Sequence, residues 1–159
     1  MKKIVLISSI LFILDQMTKL IVGFCIDLNT SVTVIKDFFC ISNVHNYGAA
    51  FSVLYGNTIF LIIISLVALF LIYHFMIKDK DLGKFDIVIY SLLIGGIFGN
   101  LFDRVIYGYV VDFLDFNIFG YGFPVFNIAD ICIVISVILL IIDSFRGGKN
   151  EIHSWCWWC

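Results

Sequence analysis

Residues 58–77 read TIFLIIISLVALFLIYHFMI, twenty consecutive positions without one Asp, Glu, Lys or Arg. At a rise of about 1.5 Å per residue such a run is about 30 Å long as a helix, the thickness of a bilayer's hydrocarbon core. The rest of the chain repeats the pattern: residues 4–24 and 85–102 are apolar over a comparable length, and residues 128–142 come close. With 62% hydrophobic and only 14% charged residues in 159 positions, and a mean hydropathy of +1.07, the chain carries more apolar surface than one soluble core can bury. The expected fold is a single membrane domain over residues 1–159 with four transmembrane helices.

Basic residues give these spans a direction. Lys2, Lys3, Lys78, Lys80, Lys84, Arg146 and Lys149 fall on one side, Lys36 and Arg104 on the other, and Lys19 lies within a span. By the positive-inside rule both termini and the loop at residues 78–84 are cytoplasmic. The connections at residues 25–57 and 103–125 then face outward. Within them Ser31 to Ile35, Phe38 to Ile41 and Tyr109 to Leu114 are β-branched or aromatic runs that predict short strands, able to pair into a small extracytoplasmic sheet on the membrane surface. The opening Met1-Lys2-Lys3 and its apolar run resemble a secretory signal. The run is long, is interrupted by Asp15 and Lys19, and is followed by no small-x-small cleavage site, so it reads as a retained first helix.

The composition also argues against some classes of function. A net charge of −2 with no Lys/Arg-rich stripe gives no basis for nucleic-acid binding. Cys25, Cys40, Cys132, Cys156 and Cys159 lack paired ligand spacing, and His45, His74 and His153 are far apart, so neither a metal site nor another cofactor is expected. Interfacial anchoring is the reading for the aromatic tail Trp155 to Cys159.

Polar groups inside the spans are the informative exceptions, because an ionised side chain at the bilayer centre costs about 2.5–3.5 kcal/mol on insertion scales. Asp15 and Lys19 stand four residues apart on one helix face, either a self-neutralising pair or a support for a site. His45-Asn46-Tyr47-Gly48 offers an amide and a small residue where the chain returns to the second span, which also suits a simple turn. In Gly95 to Arg104 the glycines at 95 and 99 allow close helix packing. Asn100 and Arg104 share the next face, and Asp103 and Arg104 could cap the span's end.

Two carboxylates stand out beyond these. Asp112 lies in an apolar, strand-like run with no structural excuse. Asp130 sits three residues after Asn127, where it could complete a capping box at the start of the fourth span. Both fall on the outward side. Two close carboxylates in a poorly solvated site share a proton, so that one can take a proton from water as it attacks a carbonyl while the other hydrogen-bonds the carbonyl oxygen and later helps protonate the leaving amine.

Taken in order, the motifs resemble a known family. Asp15-Gln16-Met17-Thr18-Lys19 is similar to D-x-x-[ST]-K, and Asn46 to Phe51 to N-x-G-x-A-[FW]. Gly99 to Arg104 is similar to G-N-x-x-D-R, Val111-Asp112-Phe113 to V-D-F, and Phe126 to Asp130 to F-N-x-A-D. These are the motifs of the lipoprotein signal peptidases, the bacterial type II signal peptidases. The resemblance implies four membrane helices, a small extracytoplasmic antiparallel sheet and a short surface helix around Gly48 to Tyr55. It implies an aspartyl endopeptidase of the bacterial cytoplasmic membrane, with its site near the outer leaflet. The implied substrate is a prolipoprotein whose cysteine already carries diacylglyceryl, cut just before that cysteine by a monomer in contact with membrane lipids. Asp112 and Asp130 match the catalytic dyad; Asp15, Lys19, Asn46, Gly48, Asn100, Arg104 and Asn127 match supporting or binding positions.

Two other readings compete. A transporter or proton channel would spread acids through the membrane depth, whereas the spans after the first hold almost no ionisable residue at mid-depth. A non-enzymatic lipid-binding or assembly protein would use the acids only as caps and ion pairs.

Overall fold

The computed structural model describes residues 1–48 and 54–151. Helix α1 runs over Lys2–Cys25. Strands β1, Ser31–Ile35, and β2, Phe39–Asn46, follow. Helix α2, Thr58–Leu71, widens into a π-helical end over Ile72–Ile77, where the Lys78 N–H reaches back five residues to the Tyr73 carbonyl at 2.8 Å. Helix α3 spans Lys84–Ile106, strands β3 and β4 span Val110–Ile118 and Tyr121–Gly122, and helix α4 spans Ile128–Glu151. Four helical segments are long and apolar enough to cross a membrane: Lys2–Cys25, Thr58–Ile77, Lys84–Ile106 and Ile128–Phe145.

Helix α3 is central, packed against α1 on one side and α4 on another, with α2 leaning on it. Glycine makes the closeness possible. A Cβ at Gly96 would stand 2.5 Å from the Ala129 carbonyl oxygen of α4. One at Gly99 would stand 2.8 Å from an Asp15 carboxylate oxygen of α1 and 3.2 Å from the Ala129 Cβ. At the end away from the strands the bundle closes on an apolar core of Ile4, Ile72, Ile77, Ile89, Tyr90 and Leu93. The polar residues gather at the other end.

At that end the strands form an antiparallel sheet in the order β1-β2-β3-β4. Three details place it. Helix α3 continues one turn beyond the expected Phe102, because Asp103 finds polar partners instead of water, and stops where Gly108 takes φ +82° and its N–H bonds the Arg104 carbonyl. Strand β2 runs on through His45-Asn46, opposite Val111 and Val110, so Asn46 belongs to the sheet rather than to a turn. Phe126 exchanges both backbone hydrogen bonds with Leu114 (2.8 and 3.2 Å), which fastens the start of α4 to β3. Strand β4 was not foreseen; it pairs across Phe119-Gly120, both at positive φ as a two-residue hairpin turn requires. The expected surface helix falls mostly on residues 49–53, and the aromatic tail on residues 152–159, outside the described residues.

Candidate active site

The residue before each functional side chain explains where that side chain goes. Because side chains alternate across a strand, Asp112 and Asn46 project from one face of the β2–β3 pair while Val111, His45 and Tyr109 project from the other. The Leu114–Phe126 clasp brings Asn127 and the first turn of α4 beneath the Asp112 face. There Asn127 caps the helix: its Oδ1 accepts the Asp130 N–H at 3.0 Å, and Asp130 Oδ2 accepts the Asn127 N–H at 3.2 Å. This is the reciprocal capping box expected from the spacing.

The cap does more than end a helix. Asn127 Nδ2 also donates to Asp112 Oδ1 at 2.6 Å, so one amide side chain touches both segments that carry the acids. The other Asp112 oxygen accepts from Asn46 Nδ2 at 2.8 Å. Asp130 Oδ1 accepts from Asn100 Nδ2 at 2.7 Å, and Asn100 Oδ1 in turn accepts from Asn127 Nδ2 at 3.2 Å and Lys19 Nζ at 3.1 Å. Asp112 is 2% exposed and Asp130 half-buried. Burial away from water first, and then the neighbouring charge of Asp130, push the Asp112 carboxyl up to about 7, against the downward pull of the two amides.

Beneath the pair lies a fully buried ionic cluster. Lys19 Nζ meets Asp15 Oδ2 at 2.7 Å and Asp103 Oδ2 at 2.8 Å, which with Asn100 accounts for all three of its N–H bonds. Asp15 Oδ1 accepts the Ala129 N–H of α4 at 2.9 Å, and Asp103 accepts from Gln16 Nε2 at 2.8 Å and from the Val111 N–H at 3.4 Å. Three helices and β3 therefore meet on one lysine. Arg104 donates to the Gly48 carbonyl at 2.8 Å and to its own helix at Asn100, and lies within the fields of Asp130 and Asp112. The Gly48 N–H returns to Asn46 Oδ1 at 2.9 Å.

Every candidate residue from the sequence thus lies in one connected network: Asp15, Lys19, Asn46, Gly48, Asn100, Arg104, Asp112, Asn127 and Asp130. Sequence reasoning treated Asp103 as a helix-end charge and passed over Gln16. Both belong to the network. A carboxylate three residues after a buried Asn, on a helix already packed by glycines, was the available signal for Asp103; nothing marked Gln16 beyond its place next to Asp15. Chemically, the arrangement offers two neighbouring carboxyl groups on well-fixed amides, which suits activation of water beside a polarised carbonyl.

The chain is similar to known proteins over almost its whole length. The family model described as Signal peptidase (SPase) II matches residues 7–146. A lipoprotein signal peptidase from Staphylococcus aureus strain MRSA252 is 43% identical over 147 residues, covering 92% of this chain and 90% of that protein, and the one from strain JH9 is 42% identical over the same shares. Among solved structures, a bacterial membrane enzyme determined by the in meso method at 2.3 Å resolution superposes with a TM-score of 0.87 at 42% identity, covering 95% of this chain and 92% of that one. A second, at 1.9 Å resolution, gives a TM-score of 0.80 at 43% identity over 90% and 92%.

Proposed function

The chain belongs to the signal peptidase II family of aspartic peptidases, and on that premise we propose that Asp112 and Asp130 are the pair with which it removes signal peptides from prolipoproteins. It is a multi-pass bacterial membrane enzyme of lipoprotein processing. The observation that carries the catalytic reading is the single amide of Asn127, which caps the helix holding Asp130 while bonding Asp112 at 2.6 Å. A carboxyl held near 7 beside a second one keeps a proton on the pair at neutral pH. The N-terminus of α4 favours negative charge on Asp130, so the proton rests on Asp112.

In the working cycle the Asp130 carboxylate takes a proton from a water as that water attacks the scissile carbonyl carbon. Asp112 donates its hydrogen bond to the carbonyl oxygen, and the proton gained by Asp130 passes to the leaving amine. No bond forms between enzyme and substrate. Lys19, Asp15 and Asn100 hold Asp130 from below, Asn46 and Asn127 hold Asp112, and Arg104 fixes the chain at Gly48 beside them. All of these come from one chain and one domain, which supports a monomer as the working unit.

The substrate we assign is a prolipoprotein already carrying diacylglyceryl on its cysteine, cut before that cysteine at the outer leaflet, with both termini of the enzyme in the cytoplasm. The basic residues on the short loop and at the chain ends support that orientation. Its test is cleavage by the enzyme in proteoliposomes of one prolipoprotein supplied with and without the lipid, with mass analysis of both fragments. The lipid-modified form is expected to be cut with the cysteine as the new first residue. Equal cleavage of the unmodified form, or a cut elsewhere, overturns the substrate assignment.

A further inference from the structure

One residue bonded to the buried ionic cluster is itself open to solvent. Lys19 is 4% exposed and Asp15 and Asp103 1% each, whereas Gln16 is only half-buried. With Lys19 and Asp103 it lines a cavity of about 400 Å³ between α1, the end of α3 and the face of the sheet turned away from Asp112. Neither Asp112 nor Asp130 borders this cavity.

The Gln16 amide is turned inward. Its Nε2 donates to Asp103 Oδ1 at 2.8 Å, with longer approaches to Asp15 Oδ2 at 3.3 Å and the Gly99 carbonyl at 3.4 Å. Asp103 Oδ2 is thereby left for Lys19 Nζ at 2.8 Å and the Val111 N–H at 3.4 Å. These two bonds lead to different acids. Lys19 continues through Asn100, at 3.1 Å, to Asp130, 2.7 Å from the Asn100 amide. Val111 directly precedes Asp112, and its carbonyl accepts from Asn127 Nδ2 at 3.4 Å. A carboxylate's terminal torsion is soft, so bonds at one oxygen leave its plane free to turn. A donor fixed on the other oxygen removes that freedom, which a cavity water, free to shift, does not.

We propose that Gln16 is a positioning residue for the aspartate pair: its amide locks the plane of Asp103 and so sets, through Lys19 and the Val111 peptide, how Asp112 and Asp130 stand to each other. The inference rests on the assignment of those two acids as the reacting pair. Gln16 touches neither of them and acts only through Asp103. Its effect falls on the chemical step, because a misplacement of about 1 Å among reacting groups costs up to about 10²-fold in rate.

Two variants of the full-length protein in proteoliposomes test this, with kcat and KM for lipid-modified prolipoprotein measured from pH 5 to 8 and folding checked by thermal midpoint. Gln16→Met keeps the length of the side chain and removes the donor. Its kcat is expected to fall about tenfold or more with KM unchanged. Gln16→Glu has a donor only while the introduced carboxyl is protonated. Around that carboxyl stand Asp15, Lys19 and Asp103, with His45, Tyr107 and Tyr109 on the cavity wall and Asp27 at its mouth. Protonation restores the bond to Asp103, and ionisation sets two anions against each other. The kcat of Gln16→Glu relative to wild type, a ratio that cancels the titration of the pair itself, should therefore be close to one at pH 5 and decline as pH rises. Wild-type kcat in Gln16→Met overturns the proposal. So do equal losses in both variants at every pH, the mark of a residue that only fills space. Asp112→Asn measured alongside separates the two readings. If it is active, the aspartate pair is wrong; if it is inactive beside a fully active Gln16→Met, only the role of Gln16 is.

Discussion

Asp112 is a buried acid with two amide donors and one acidic neighbour, and if it is half of the proposed proton-sharing pair its titration should be visible in the rate. In the proposed mechanism the active form carries one proton across Asp112 and Asp130, and burial pushes the Asp112 carboxyl up to about 7. Loss of that proton leaves two anions with no acid for the carbonyl oxygen. The value of kcat/KM should therefore fall about tenfold per pH unit above an apparent pKa near 7, read from a rate profile of the proteoliposomes between pH 5 and 9. A flat profile across that range contradicts the shared proton. Lys19 acts at greater distance. Lys19→Met leaves Asp15 and Asp103 buried without their cation, a loss of about 3–5 kcal/mol, so its thermal midpoint should drop well below that of the aspartate variants.

At the scale of elements, the close approach of α3 to α1 and α4 is what lets the carboxylates converge. Gly99→Ala would press a methyl to within 2.8 Å of Asp15, whereas the same change at Gly23 meets nothing within 4 Å. Thermal unfolding in detergent should show Gly99→Ala destabilised by about 1–3 kcal/mol and Gly23→Ala unchanged or slightly more stable. Helices were the legible part of this sequence: apolar runs of membrane length at residues 58–77 admit one reading, and the Asn127–Asp130 spacing announced its own cap. The strands were only partly legible. β2 extends through His45 and Asn46, residues of low strand propensity held there by pairing with β3, and that tertiary constraint leaves no trace in local sequence. The one-turn extension of α3 was hidden for the same reason, since Asp103 reads as a helix end until Lys19 is placed beside it.

For the molecule as a whole, the division of labour runs along the bundle axis: an apolar core at one end, a dense polar network and a sheet at the other. The proposed orientation in the membrane rests on the basic residues alone. A variant whose only cysteine is Cys40, on β2, should react with an impermeant thiol reagent applied outside spheroplasts, and one retaining only Cys156 should not; the opposite pattern reverses the topology. Most residues of the polar network were legible because each is a polar residue stranded in apolar sequence, which lipid penalises; Gly48 came only with its motif. Its connectivity was not, because bonds such as Asn127 to Asp112 and Asp15 to the Ala129 N–H join residues through the fold. The most direct test of the central claim is the single-turnover cleavage rate of lipid-modified prolipoprotein by Asp112→Asn and Asp130→Asn, each shown folded by its thermal midpoint. Both are expected to fall by at least about 10³-fold. Cleavage by either folded variant within about tenfold of wild type would contradict the aspartate pair.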